Sequence, residues 1–266
     1  MQSRLYRTIL LQNDLFILQQ VWKDSKMKKV LVCGHRGFPA KYPQNTLPSF
    51  AGAIDAGCER IEYDLHWTSD KRLVVCHNPT VDATSNGTGN IADMTFDEIR
   101  KLDFGSWKGE EFANTPIPEF CELLALTTSR DPELFHLVEL KVDSVEYAEA
   151  VLAELARFNM AGKFTLVSFH LDMLREIKKR HPEVLIHGNP RTAVKDFDYE
   201  EYRIFDSVGI RYDNLTAEIV AGFHSVDTQV DAWPVDTAEE FRIQLANDVD
   251  SVTSNDPETV IAERDR

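Results

Sequence analysis

Two carboxylates, Glu62 and Asp64, stand two residues apart in the run ERIEYDL. On a strand that spacing turns both to one face. Neighbouring carboxylates repel unless a cation lies between them, and hard dications such as Mg²⁺ or Ca²⁺ take oxygen ligands of this kind. Glu139, in VELK, can supply a third carboxylate, and Lys141 has the same parity as Glu139. Read alone, each of these pairs also fits a strand end with solvated acids. His35-Arg36-Gly37 directly follow the apolar run VLVCG. An arginine can hold a phosphate oxygen bidentately, and a histidine moves protons near neutral pH. A lone His-Arg pair, or His77 at the end of LVVCH, fits an ordinary strand or hairpin end equally well. The combination is more specific. Two histidines, an arginine, a lysine and three carboxylates on one face would let a dication, Arg36 and Lys141 make a positive pocket. That is the electrostatic requirement for attack on a phosphodiester, with one histidine as base and the other as acid.

Elements that bring these residues together are legible in the spacing of apolar runs. Strands are predicted at 30–34, 59–65, 135–140, 163–168, 184–188, 207–211, 228–233 and 250–254, with helical patterns at 46–57, 144–158, 170–181, 216–224 and 237–248. Thr46, Ser144 and Thr237 stand where N-caps belong. Eight strands alternating with helices predict an α/β fold, a (β/α)₈ barrel, whose active site forms at the C-terminal strand ends. The long interval after the second strand predicts an insertion over about 66–117. Within it, 62–67 and 73–77 form a hairpin returning His77 to the end that carries Glu62 and Asp64, and 78–117 form a long loop or small subdomain. The next helix is expected to begin near Pro118. Asp231 and Trp233 also lie at a strand end. By alternation His66 shares the face of Asp64, as a supporting group or, as we expect, exposed to solvent. His136, His170, His181, His187 and His224 are given no role.

Composition narrows the partners. The chain has 266 residues, 43% hydrophobic and 27% charged, as expected of a soluble globular protein. Its net charge of −15, without a basic cluster, speaks against nucleic acid and against anionic membrane surfaces. Cys33, Cys58, Cys76 and Cys121 have no C-x-x-C spacing and are expected to be reduced. Residues 27–266 are read as one barrel domain, and 1–26 as an N-terminal extension with the pattern of a docked amphipathic helix. In 1–26, Gln12, Asn13 and Asp14 interrupt the apolar residues, so neither an export signal nor stable membrane insertion is expected. The expected location is the cytoplasm. No signal for an oligomeric state is legible.

The sequence resembles the glycerophosphodiester phosphodiesterase family, within the phospholipase-C-like phosphodiesterase barrels. The resemblance rests on GHRGFPAKYPQNTLPSF (34–50), IEYDLHWTSDKRLVVCHNPTVDATSNGTGNIADMT (61–95), VELK (138–141), SF (168–169), AWPVD (232–236) and SVTSNDP (251–257). It implies a TIM barrel with an insertion after the second strand, and one divalent cation, Mg²⁺ or Ca²⁺, on Glu62, Asp64 and Glu139. It implies His35 and His77 as the acid/base pair, and Arg36 and Lys141 on the phosphate. The implied substrate is a small glycerophosphodiester, cleaved to an alcohol and glycerol 3-phosphate; in many relatives the glycerol 2-hydroxyl attacks first. Phe169 and Trp233 would line the pocket, with core packing as the alternative. Trp67 and Trp107, near the pocket rim or the insertion, are read either as shaping headgroup choice or, at least as readily, as surface packing. The chain departs from the family pattern at Gln44 (usually Glu), Asn78 (usually Asp), Ala83 (usually Arg), Pro234-Val235-Asp236 (usually Thr-Val-Asn) and Ser254-Asn255 (usually Thr-Asp). These changes bear on substrate preference more than on reaction class. Two alternatives remain: a lysophospholipase D-type activity on lysolipids, and a non-catalytic phosphodiester-binding barrel.

Overall fold

The computed structural model describes residues 29–190 and 197–266. The extension over 1–26 therefore lies outside the described residues. Among the described residues nine strands run β1 (Leu31–His35), β2 (Arg60–Trp67), β3 (Leu73–Val75), β4 (Phe135–Leu140), β5 (Phe164–Ser168), β6 (Leu185–Gly188), β7 (Ser207–Arg211), β8 (Gln229–Trp233) and β9 (Ser251–Ser254). All except β3 pair in parallel, and β1 pairs with both β2 and β9, which closes an eight-stranded barrel. Each predicted strand is present. Helices α1 (Leu47–Asp55), α3 (Phe120–Arg130), α4 (Val145–Arg157), α5 (Leu171–Arg180), α6 (Ala217–His224), α7 (Ala238–Ala246) and α8 (Pro257–Arg264) lie between or after the strands; a short α2 (Phe96–Ile99) belongs to the insertion. Among the described residues no helix is long and apolar enough to cross a membrane.

The period of two in the strands divides two layers of packing. On β2, Ile61, Tyr63 and Leu65 join the main core between strands and helices. The alternate residues face the barrel axis, where Cys33, Leu137 and Val167 pack together beneath the polar rim. Helix starts follow local chemistry. Ser144 and Thr237 accept hydrogen bonds from the backbone N–H groups of Tyr147 and Glu240, as predicted. Thr46 also holds the N-cap position, but without a side-chain bond to the first turn: its hydroxyl donates to the Pro43 carbonyl at 2.6 Å, and Pro48 removes one amide there. Helix α8 went unpredicted, although Asp256 caps it and Pro257 opens it.

The insertion is built as expected. β3 pairs antiparallel with β2, and the chain then makes a small subdomain with its own apolar cluster of Val74, Cys76, Val81, Ile91, Ile99, Phe104 and Ile117. The four cysteines are free, three of them buried.

Candidate active site

Strand register assembles the site. Cα pairing sets His35 of β1 beside Glu62 of β2, and Asp64 of β2 beside Glu139 of β4. Three carboxylate oxygens, one each from Glu62, Asp64 and Glu139, lie within 4.8 Å of one another, and all three residues are buried. The turn after β1 holds Arg36 in the left-handed region at φ 57° and Gly37 at φ 89°. A side chain at Gly37 would meet Ser49 Oγ at 2.4 Å, so only glycine lets this turn close. Ser49 in turn donates to the Arg36 carbonyl at 2.9 Å and accepts from the Phe38 amide at 2.7 Å. The turn is thus clamped, and the Arg36 guanidinium reaches Asp64 Oδ2 (3.4 Å) and Gln44 Oε1 (2.9 Å).

Lys141 Nζ bridges Asp64 Oδ1 at 2.8 Å and Glu139 Oε1. Asn45, another left-handed residue at φ 57°, donates to Asp64 Oδ2 at 2.7 Å. The hairpin returns His77 to the pocket wall, where its Nδ1 lies 2.8 Å from Asn78 Oδ1. His35 Nδ1 lies 2.7 Å from Asn255 Oδ1, and its Nε2 is 3.9 Å from Glu62 Oε2.

Burial and crowding divide the carboxyls electrically. Burial, with Asp64 and Glu139 as like-charged neighbours, pushes Glu62 well above the carboxylate range. Burial and Asp64 push Glu139 up to about 7. Burial also acts to raise Asp64, but Lys141 and Arg36 outweigh it and hold that carboxyl well below its ordinary value. Burial and the Arg36 charge push His35 down to about 4, and burial lowers His77 too. A dication would relieve the repulsion among the carboxyls. The residues fit one: three oxygen donors converge, and buried Glu62 Oε1 has no hydrogen-bond partner.

Across the pocket the lining turns neutral. Phe169 and Trp233 meet edge to face, with ring centroids 6.2 Å apart. His187, Asn189 and Asp231 line the pocket with them. Asp231 accepts from Ser251 at 2.6 Å and Thr253 at 2.9 Å, and burial pushes it up to about 6.

Of the nine site residues named from the sequence, eight line the pocket, and Asp64 joins Glu62 and Glu139 in the carboxylate cluster. Two expectations need correction. His66 is buried rather than exposed, because β2 runs to Trp67 and the hairpin covers it; its Nε2 lies 3.2 Å from the His77 carbonyl. His187, given no role, lines the pocket because its parity on β6 turns it inward. Of the two readings of Trp67 and Trp107 the packing one holds: Trp67 packs on Tyr147, Trp107 is exposed on the insertion, and neither lines the pocket. Asn45, Asn189 and Asn255 went unassigned. For Asn45 the signal was a short polar residue in a Pro-Gln-Asn-Thr turn, a position that tolerates positive φ.

Residues 35–259 match the model of the glycerophosphoryl diester phosphodiesterase family. The chain belongs to that family. By that membership it is a glycerophosphodiester phosphodiesterase, a phosphoric diester hydrolase. A relative of that name from Caldanaerobacter subterraneus is 32% identical over 237 residues, covering 88% of this chain and 97% of that protein. A solved structure from Silicibacter pomeroyi is 25% identical, with a TM-score of 0.82, covering 89% of this chain and 93% of that one. An Oleispira antarctica phosphodiesterase, solved in complex with the product sn-glycerol-3-phosphate, shares the fold at a TM-score of 0.83 and 22% identity, covering 89% and 97%.

Proposed function

We propose that this barrel hydrolyses small glycerophosphodiesters to glycerol 3-phosphate and an alcohol, using one Mg²⁺ or Ca²⁺ held by Glu62, Asp64 and Glu139. The observation that supports this reading is the convergence of His35, His77, Arg36 and Lys141 around those three carboxylates. A bound dication would add positive charge where negative charge builds on the phosphoryl oxygens.

The chain's own residues do the rest. Arg36 and Lys141 bind and orient the phosphoryl oxygens. His35, kept neutral by its burial, takes the proton of the attacking hydroxyl or water at Nε2 as the new P–O bond forms. His77, protonated once the substrate's negative charge offsets the burial that lowers it, gives a proton to the departing alcohol oxygen as the old P–O bond breaks. Phe169 and Trp233 pack on the glycerol, and the neutral polar groups of His187 and Asn189 beside them suit hydroxyls.

The test is glycerol 3-phosphate release from glycerophosphocholine by the parent, His35→Ala and His77→Ala, each with and without chelator. Acid–base groups contribute on the order of 10²–10⁴-fold, so each variant should fall by about that factor. Chelation should abolish turnover, and Mg²⁺ or Ca²⁺ should restore it. Undiminished turnover in either alanine variant would overturn its role. A lysolipid run in parallel should be the poorer substrate.

A further inference from the structure

Outside the groups that face the pocket, a short chain of hydrogen bonds leads away from His35. Its Nδ1 meets Asn255 Oδ1 at 2.7 Å. Asn255 Nδ2 donates to Asp236 Oδ2 at 2.8 Å. Asp236 Oδ1 accepts from the Asn255 backbone amide at 2.6 Å and from Ser254 Oγ at 3.3 Å. Asn255 is also tied from its own carbonyl, which accepts from the Ala40 amide at 3.0 Å.

These bonds have only one consistent direction. A carboxylate accepts and cannot donate, whereas an amide side chain does both from opposite ends. Asp236 therefore requires the Asn255 NH₂ to face it, which leaves the amide oxygen facing His35. An oxygen at Nδ1 requires a proton there, so the neutral imidazole keeps its lone pair on Nε2. That nitrogen points toward Glu62 and the pocket.

We propose that Asp236 and Asn255 are positioning residues which fix His35 as the Nδ1–H tautomer and so present an unprotonated Nε2 to the substrate. The inference rests on the proton-accepting role of His35 proposed above. Asp236 lies one residue beyond the reach of the ring, so it acts through Asn255 and not on the substrate.

The arrangement predicts an unusual pattern of variants. In Asp236→Asn two NH₂ groups would meet, so Asn255 must turn its amide over and offer a donor to Nδ1. The proton then moves to Nε2 and the base is lost. In Asn255→Asp two carboxylates would face each other at about the present 2.8 Å contact. The exchange Asp236→Asn/Asn255→Asp restores every bond with one direction reversed. The new amide at position 236 donates to the new carboxylate at position 255, while the amide's oxygen still accepts from the backbone.

The experiment measures kcat and KM for the parent, both single variants, the exchange and His35→Ala, with thermal melts to check folding. The His35 tautomer is read by ¹⁵N NMR on histidine-labelled protein. We expect Asp236→Asn to lose kcat by about 100-fold, the scale of one acid–base group, with KM within about threefold; Asn255→Asp, whose carboxylate still accepts from Nδ1–H, should keep that tautomer and show the clash of two carboxylates as a lowered melting temperature. The exchange should recover to within about tenfold of the parent. The ¹⁵N signature should be Nδ1–H in the parent and the exchange, and Nε2–H in Asp236→Asn. A folded exchange variant no more active than Asp236→Asn would overturn the proposal, as would an Asp236→Asn protein that keeps the Nδ1–H signature. An active His35→Ala enzyme would instead refute the role of His35, whatever the tautomer. Should Asp236→Asn fail to fold, the ¹⁵N signatures of the parent, the exchange and Asn255→Asp still decide, since Nε2–H in any of them would overturn the proposal.

Discussion

Asn45 offers the sharpest check on how the acidic cluster is held. Its side-chain amide donates to Asp64 Oδ2 at 2.7 Å, inside a site where Asp64 is fully buried. Hydrogen bonds to a buried charge contribute about 1.5–3 kcal/mol. Its backbone sits at φ 57°, which Asn and Gly adopt readily but Ala does not. Asn45→Gly thus removes the bond without adding backbone strain, and should destabilise the protein by about 2–3 kcal/mol. Asn45→Ala removes the same bond and adds about 1 kcal/mol of strain. Partners that orient a ligating carboxylate typically contribute 10–100-fold to metal affinity. Both variants should therefore bind Mg²⁺ or Ca²⁺ about tenfold or more weakly, while differing from each other in stability. Urea melts give the stability and calorimetric metal titration the affinity. Equal metal affinity in the parent and Asn45→Gly would refute the view that Asn45 orients Asp64. Equal stability of the two variants would refute the strain.

A methyl group at Gly209 would stand 2.3 Å from Asn189 Oδ1 and 2.5 Å from His187 Nε2, so Gly209→Ala must displace that wall. Its kcat/KM should fall by about 10- to 100-fold in initial-rate assays; an unchanged value would mean that the wall does not touch the substrate. His136, whose Nδ1 lies 3.0 Å from Tyr63 Oη, is pushed down to about 3 by burial. The unfolded chain takes up that proton near pH 6.5 and the folded chain does not. The contribution of His136 to stability is therefore complete above pH 6.5 and is lost as pH falls toward 3, by about 1.4 kcal/mol per unit. The stability gap between the parent and His136→Gln should narrow by about 1.4 kcal/mol from about pH 7.5 to about 5.5; a constant gap in urea melts would refute the assignment. Metal affinity should rise about 5- to 150-fold in the presence of saturating glycerol 3-phosphate. Identical titrations with and without that compound would separate the cation from the phosphate.

Barrel strands were readable because their β-branched apolar runs recur with helix-sized intervals between them. The alternation within β2 and β4 was enough to put Glu62, Asp64, Glu139 and Lys141 on one inner surface. His77 followed from the hairpin, since an antiparallel return must bring the chain back to the end it left. What stayed hidden were pairings between distant segments. Asp236 and Asn255 stood out only as two separate departures from a family pattern. Their contact, 19 residues apart in sequence, shows an acid and an amide with their places exchanged. Helix α8 was missed because it has little apolar face to reveal its period. His66 was misplaced because nothing in its own run announces that the insertion folds over it.

The charge of the whole chain and the charge of its site point in opposite directions, and the reconciliation lies in three carboxyls. At −15 the protein repels a phosphodiester at long range, although salt confines that repulsion to about 10 Å. Within the pocket, Arg36 and Lys141 face Glu62, Asp64 and Glu139, so full ionisation of the acids would leave one negative charge. Burial resists that state: Glu62 and Glu139 are both pushed upward, and Asp64 keeps its charge because both cations touch it. A dication would do two things at once. It would make both glutamates favour their charged forms and turn the pocket from one negative to one positive charge. The site's affinity for an anion is therefore tied to the same three residues that would hold the metal. Weakening any of them should impair substrate binding as well as metal binding, even though no carboxylate need touch the substrate.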